Sequence, residues 1–245
     1  MLLLALAAFI SGALNAVAGG GAFITFPALL FAGVPPVAAN ASSTVALFPG
    51  QAASALAYRR DILGVTEVNV RALLALSLVG GLLGALLLLV TPDAVFVWLV
   101  PWLMLFATLV FAFGNFAPAA ATKRFRLGPR GVLVVQFLIA IYGGYFGGGI
   151  GFLMLAALTL FGMRDMHAMN GLKILLASLM NGAAVVAFAI AGTVRWPETL
   201  AMAAAGIAGG YLGALGAKRV DQRVIKGFVI VLGCVLTIYF FWRGV

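Results

Sequence analysis

Apolar positions in this chain run in long blocks, and the polar ones cluster between them. Read from breaker to breaker, the blocks lie at about 1–33, 38–57, 69–90, 94–114, 130–162, 168–190, 197–216 and 225–242. The breaks are Gly33 to Pro36, Tyr58 to Gly64, Thr91 to Asp93, Pro118 to Arg130, Gly162 to His167, Gly192 to Pro197 and Lys218 to Lys226. A transmembrane helix takes about 20 apolar residues, so the pattern predicts an all-α polytopic membrane protein. No basic residue precedes the first run at Met1 to Ala8, which predicts that this block is retained and not cleaved as a signal peptide.

Two blocks have an awkward length. Residues 1–33 and 130–162 are too long for one crossing and too short for two comfortable ones. Glycines interrupt each near its middle: Gly19, Gly20 and Gly21 in the first, Gly143, Gly144, Gly147, Gly148 and Gly149 in the second. Adjacent glycines weaken a helix and permit backbone angles that other residues avoid. A glycine-rich helix-packing face is the plain alternative, but runs of adjacent glycines do not share one helix face.

The halves also resemble each other. Gly80-Gly81-Leu82-Leu83-Gly84-Ala85-Leu86 matches Gly209-Gly210-Tyr211-Leu212-Gly213-Ala214-Leu215, and Gly19 to Gly21 match Gly147 to Gly149. Phe31-Ala32-Gly33 falls against Leu160-Phe161-Gly162, Asn40 against Asn170, and Gln51 against Asn181. The offsets stay between 128 and 130. The chain is therefore expected to hold two copies of one unit, 1–115 and 130–245, joined by a polar linker at 116–129.

Composition fixes the class. Of 245 residues, 64% are hydrophobic and 9% charged, against about 25% charged in soluble domains. That excludes a soluble enzyme, a nucleic-acid module and a disordered chain. The net charge of +9 then marks cytoplasmic loops. The single cysteine, Cys234, excludes a disulfide framework and a cysteine-rich metal site.

Charge also bears on topology. If all eight blocks cross once, the basic loop residues divide nine against five. If 1–33 and 130–162 are re-entrant hairpins, twelve fall on one side (Arg59, Arg60, Arg71, Lys123, Arg124, Arg126, Arg130, Arg164, Lys218, Arg219, Arg223, Lys226) and only Arg195 and Arg243 on the other. The second arrangement obeys the positive-inside rule far better. Each copy becomes one glycine-broken re-entrant hairpin plus three transmembrane helices. Three is odd, so the repeats are inverted and both termini are periplasmic. Irregular backbone at membrane depth survives only where protein buries it or water reaches it, so the hairpin tips should meet around a midplane cavity, as in secondary transporters.

The interior offers little acid. Asp61, Glu67, Asp93, Asp165, Glu198 and Asp221 all fall in loops or at span ends, which argues against a cationic substrate. Helices restarting after Gly21 and Gly149 would aim N-termini, and their unpaired amides, at the cavity. Lys173 adds a full charge, or else snorkels to the interface. Asn40, Ser43, Gln51, Asn170 and Asn181 are further polar candidates, with Asn15 and Thr25 weaker ones in the first hairpin. Asn40 and Asn170 fit helix N-caps equally well, and Gln51 and Asn181 fit an interhelical hydrogen bond. Tyr142 and Tyr145 offer hydroxyls, or sit in an interfacial belt. His167 fits a solvated loop better than a proton-coupling group. No zinc motif, paired cysteines or intramembrane aspartate pair points to catalysis, and no cofactor is implied.

The segment Ala18 to Leu30, with Val34-Pro35-Pro36 and Ala39-Asn40, resembles the first half of the TauE/SafE sulfite exporter family. Gly143 to Leu155, with Asn170-Gly171-Leu172-Lys173, resembles its second half. The resemblance covers nearly the whole chain and implies a transporter of sulfite, sulfoacetate or a related organosulfonate in the bacterial inner membrane. It carries the glycine clusters, Asn40, Asn170 and Lys173 over as substrate-site positions; Gln51 and Asn181 rest on the repeat. The expected partners are a small anion, the lipid bilayer and a coupling ion, either H+ or Na+, with no nucleic acid. A homodimer stays open, because Gly80, Gly84, Gly209 and Gly213 suit packing within or between chains. A passive anion channel and a non-transporting scaffold or receptor are the alternative functions.

Overall fold

The computed structural model describes residues 1–17, 20–57, 65, 68–116, 128–216 and 222–243. Every regular element among them is an α-helix. We number these α1 (Leu2–Val17), α2 (Ala22–Phe31), α3 (Pro36–Ala57), α4 (Val70–Val90), α5 (Asp93–Phe116), α6 (Pro129–Tyr145), α7 (Ile150–Leu160), α8 (Met166–Ile190), α9 (Trp196–Gly216) and α10 (Gln222–Arg243).

Both long blocks break where the glycines stand. Helix α1 stops at Val17 and α2 starts at Ala22; α6 stops at Tyr145 and α7 starts at Ile150. The chain turns through left-handed backbone at Gly20 (φ +88°), Gly147 (φ +74°) and Gly149 (φ +73°), a conformation that side chains with a Cβ resist. Helix α2 has 10 residues and α7 has 11. At 1.5 Å per residue each reaches only about 15 Å, half of a hydrocarbon core roughly 30 Å thick.

The exterior is that of a protein in lipid. Helix α4 buries Leu73, Ser77, Gly80, Gly81, Gly84, Ala85 and Leu88, while Leu78, Leu82, Leu83, Leu86 and Leu87 face outward. A soluble helix would place those leucines inside. By length and composition Val70–Val90, Asp93–Val110 and Ala168–Ile190 can each cross a membrane. Helix α3 is long enough at 22 residues but falls short in hydropathy, since it carries Asn40, Ser42, Ser43, Thr44, Gln51 and Ser54. Trp98, Trp102, Trp196 and Trp242 are all exposed.

Helix packing runs between the halves. Helix α1 lies along α9, α6 along α4, and α3 crosses α8. Lipid gives no hydrophobic drive between helices, so close backbone approach through small residues takes its place. A Cβ added at Gly12 would strike the Gly206 carbonyl, and one at Gly209 the Phe9 carbonyl. In the other pair, a Cβ at Gly84 would strike the Ile141 carbonyl and one at Gly144 the Gly81 carbonyl. The small-residue face at Gly80, Gly84 and Gly209 is therefore used within the chain; the surroundings of Gly213 lie outside the described residues. Phe146, in the second break, packs edge-on against Phe26 of α2 at 6.0 Å, which ties the two broken blocks together.

The N-cap reading of Asn40 and Asn170 does not hold. Helix α3 begins at Pro36 and α8 at Met166, a full turn earlier in each case. The first turn of α3 is capped instead by Asp93, whose Oδ1 accepts from the Val37 amide at 2.8 Å.

Gly144→Val should lower stability by about 1–3 kcal/mol or more, the cost of overpacking a close contact. Gly227→Ala, whose added Cβ meets nothing within 4 Å, should be neutral or stabilising. Thermal unfolding of the detergent-purified variants checks this, and equal midpoints would contradict the packing described.

Candidate functional site: a cavity between two helix breaks

A cavity of ≈490 Å³ lies where the two breaks come together. Gly20 and Gly21 line it from the first break and Gly147 from the second. Gln51 of α3, with Lys173 and Asn181 of α8, supplies polar side chains. Small residues of α1 and α9, Gly12, Gly206 and Gly210, complete the wall.

The first break is held by side chains of α1 and α2, and one of them, Asn15, also lines the cavity. Asn15 Oδ1 accepts from the Gly21 amide at 2.8 Å, and Ser11 Oγ donates to the Gly21 carbonyl at 2.6 Å. Thr25 Oγ1 lies 3.3 Å from the same carbonyl and 2.6 Å from Ser43 Oγ. The Gly21 N–H is thus already satisfied within the protein, and the expectation that it faces a ligand unpaired is corrected.

The second break presents the stronger positive end. The first helical bond of α7 runs from the Leu153 amide to the Gly149 carbonyl. Ile150 and Gly151 belong to the turn before it, so their amides have no earlier helical carbonyl to reach. Both residues line the cavity, and the helix dipole adds to their potential. The Lys173 stem lies beside this turn, with Cδ 3.7 Å from the position of a Cβ on Gly151. Lys173 Nζ donates to Asn170 Oδ1 at 3.1 Å. Among the described residues, Lys173 is the one lysine, arginine, aspartate or glutamate in the lining. Ammonium, helix N-terminus and open space therefore share one corner, an arrangement that suits an anion.

Gln51 and Asn181 meet across the cavity wall. Asn181 Nδ2 donates to Gln51 Oε1 at 2.7 Å, so the interhelical bond and the inward position hold together. Asn181 Oδ1 is buried without a hydrogen-bond partner, an acceptor that a donor entering the cavity would satisfy.

Other candidates stand apart from the lining. Asn40 is 2% exposed, and its Nδ2 donates to the Tyr145 carbonyl at 3.0 Å. Ser43 is turned to Thr25. The Tyr145 hydroxyl points at Thr91 Oγ1, 3.4 Å away, and its ring packs on Phe96. The Gly148 carbonyl accepts from the Tyr142 hydroxyl at 2.9 Å. Gly149 is the left-handed N-cap of α7. Asn170 touches Lys173 and not the cavity itself. None of these six is in the cavity lining of this structure. Gly19 and the His167 side chain lie outside the described residues. Thr44, Ser54 and Tyr211 also line the cavity; Thr44 is one of the few polar residues inside the span at 38–57, and Tyr211 stands in the repeated glycine motif.

The family model of the sulfite exporter TauE/SafE matches residues 4–240. A probable membrane transporter protein, ORF9, of Sinorhizobium sp is 31% identical over 95% of this chain and 88% of its own length. One of Haemophilus influenzae is 30% identical over 94% of this chain and 89% of its own length. The probable membrane transporter protein YfcA of Escherichia coli K12 is 27% identical over 94% and 85%. No solved structure matches. The architecture is that of an integral membrane protein with an internal cavity. The chain belongs to the TauE/SafE sulfite exporter family, whose matched relatives are named as probable membrane transporters.

Asn40→Ala leaves the Tyr145 carbonyl without its donor and should cost about 1–3 kcal/mol. A lowered unfolding midpoint checks it, and an unchanged one would remove Asn40 from the frame of the second break.

Proposed function

We propose that the protein is a secondary transporter moving a small sulfur-containing anion (sulfite, sulfoacetate or a related organosulfonate) across the inner membrane by alternating access. The observation that carries this reading is the cavity corner where Lys173 meets the first turn of α7, between two glycine breaks drawn from opposite halves. The anion is held there by the ammonium and backbone amides, with Gln51 and Asn181 on the facing wall. Family membership supports the substrate class, since sulfite exporter is the matched description.

The inverted repeat belongs to the same proposal. Among the described residues its halves, 1–115 and 130–245, each supply five helices in the order long, short, long, long, long. The linker 116–129 lies almost wholly outside the described residues. The reciprocal pairing of α1 with α9 and α6 with α4 supports a two-fold relation. In this reading α1–α2 and α6–α7 are re-entrant hairpins from opposite faces. The basic loops are cytoplasmic, and both termini are periplasmic. The two halves then exchange roles to open the cavity to either side.

Two outcomes test the reading in proteoliposomes. Lys173→Gln should reduce saturable uptake of sulfite or sulfoacetate about 10- to 100-fold, the value of a hydrogen bond to a charged group, and Lys173→Arg should restore part of it. Gln51→Ala and Asn181→Ala should each reduce transport in folded protein. Normal flux in all of these variants, or unsaturable currents without counter-flow, would contradict the proposal.

A further inference from the structure

Among the described residues the cavity is lined by α1 and α9 but by neither α4 nor α6, and that asymmetry bears on a second path. On the proposed reading of the halves as inverted copies, positions pair at offsets of 128 between α1 and α6, 129 between α4 and α9, and 130 between α3 and α8. Packing agrees with these offsets. A Cβ on Gly209 would strike the Phe9 carbonyl, and one on Gly80 would meet the Ala140 side chain first and stand 3.1 Å from the Phe137 carbonyl.

Thr44, Leu47 and Gln51 pair with Ile174, Ala177 and Asn181 of the same lining, and Ile207 and Tyr211 with the exposed Leu78 and Leu82, but four glycines of the lining have counterparts elsewhere inside the protein. Gly12, Gly206, Gly210 and Gly50 correspond to Ala140, Ser77, Gly81 and Met180. All four counterparts are buried, with Ala140, Ser77 and Met180 at 0% exposure. The difference centres on one side chain. A Cβ at Gly50 would meet nothing within 4 Å. Its counterpart Met180 carries its sulfur to 2.8 Å from where a Cβ on Gly143 would stand, and its backbone lies against Gly81. The space left open in one half is filled by methionine in the other.

The closed region also holds polar groups that suit water better than packing. Gln136 is 0% exposed, and its Nε2 donates to Ser77 Oγ at 2.8 Å. Gln136 Oε1 has no partner at all. A buried amide oxygen without a donor is costly in a bilayer protein, and that cost falls if the site is hydrated in another conformation.

We infer that Ser77, Gly81, Gln136 and Ala140 line a second access path to the same anion site, entered from the opposite membrane face, and that Met180 plugs it in this conformation. Methionine suits the role because it is unbranched and repacks at low cost. When the plug withdraws, Gln136 and Ser77 are wetted, and the α1–α9 side closes at Gly12 and Gly206 by the mirror movement.

The test uses the reconstituted full chain with its exposed Cys234 replaced by serine. Ser54→Cys reports the open cavity and Ser77→Cys the plugged path, each labelled by a membrane-impermeant maleimide from either face. The two reporters should react from opposite faces. Gly50→Met, which has room to fold, fills the open side; it should slow labelling at position 54 and speed it at position 77 by about fivefold or more. Met180→Ala should speed labelling at position 77 likewise. A Ser77→Cys reporter that never reacts, or reacts only from the face that serves Ser54→Cys, overturns the inference. Sulfite and sulfoacetate flux measured in the same vesicles separates the two readings. Flux without labelling at position 77 defeats the second path alone. Opposite-face labelling without flux defeats the transporter reading and leaves the path standing.

Discussion

Backbone amides and carbonyls inside a hydrocarbon layer must be bonded within the protein or wetted. Both long blocks of this chain break their helices at glycine, and every other feature of the interior answers that constraint. At the first break the answer comes from side chains: Asn15, Ser11 and Thr25 satisfy the amide and carbonyl of Gly21. At the second it comes partly from Tyr142, whose hydroxyl bonds the Gly148 carbonyl, and partly from the cavity, which the first turn of α7 faces. The same requirement accounts for polar residues inside α3. It runs between the breaks, and Asn40 reaches from it to the Tyr145 carbonyl where α6 ends.

The breaks also divide the labour unevenly. The first is sewn to its own half by neutral hydroxyl and amide groups, while the second brings a helix N-terminus beside Lys173. Lys173 stands 130 positions after Ser43, which in the first half is turned to Thr25. Among the described residues the cavity therefore carries a lysine, arginine, aspartate or glutamate on one side only. Gln51 and Asn181, also 130 positions apart, bond each other directly at 2.7 Å.

The spacing of glycines and apolar blocks made most of the architecture legible. Block ends fall within a few residues of helix ends, and the clusters at Gly19 to Gly21 and Gly147 to Gly149 mark both breaks. The repeat offset by itself picks out Gln51 and Asn181. Rotation about the helix axis was not legible. Ser43 and Thr44 are neighbours, yet Thr44 lines the cavity and Ser43 is buried against Thr25. One residue turns a helix by about 100°, and residues 39–46 of α3 are buried almost without a break, so no apolar stripe marks one face there. The glycines of α1 and α9 were opaque for another reason. A small residue reads as packing, whereas Gly12 and Gly206 both pack and leave room for the cavity.

The central claim is that an anion sits between Lys173 and the opening turn of α7. A cryo-EM map of the lipid-embedded protein with sulfoacetate tests it most directly. The account predicts density for the anion about 3 Å from Lys173 Nζ and the α7 amides, with both glycine segments non-helical. Continuous helices through either glycine segment, or the anion bound elsewhere with the cavity empty, would contradict it.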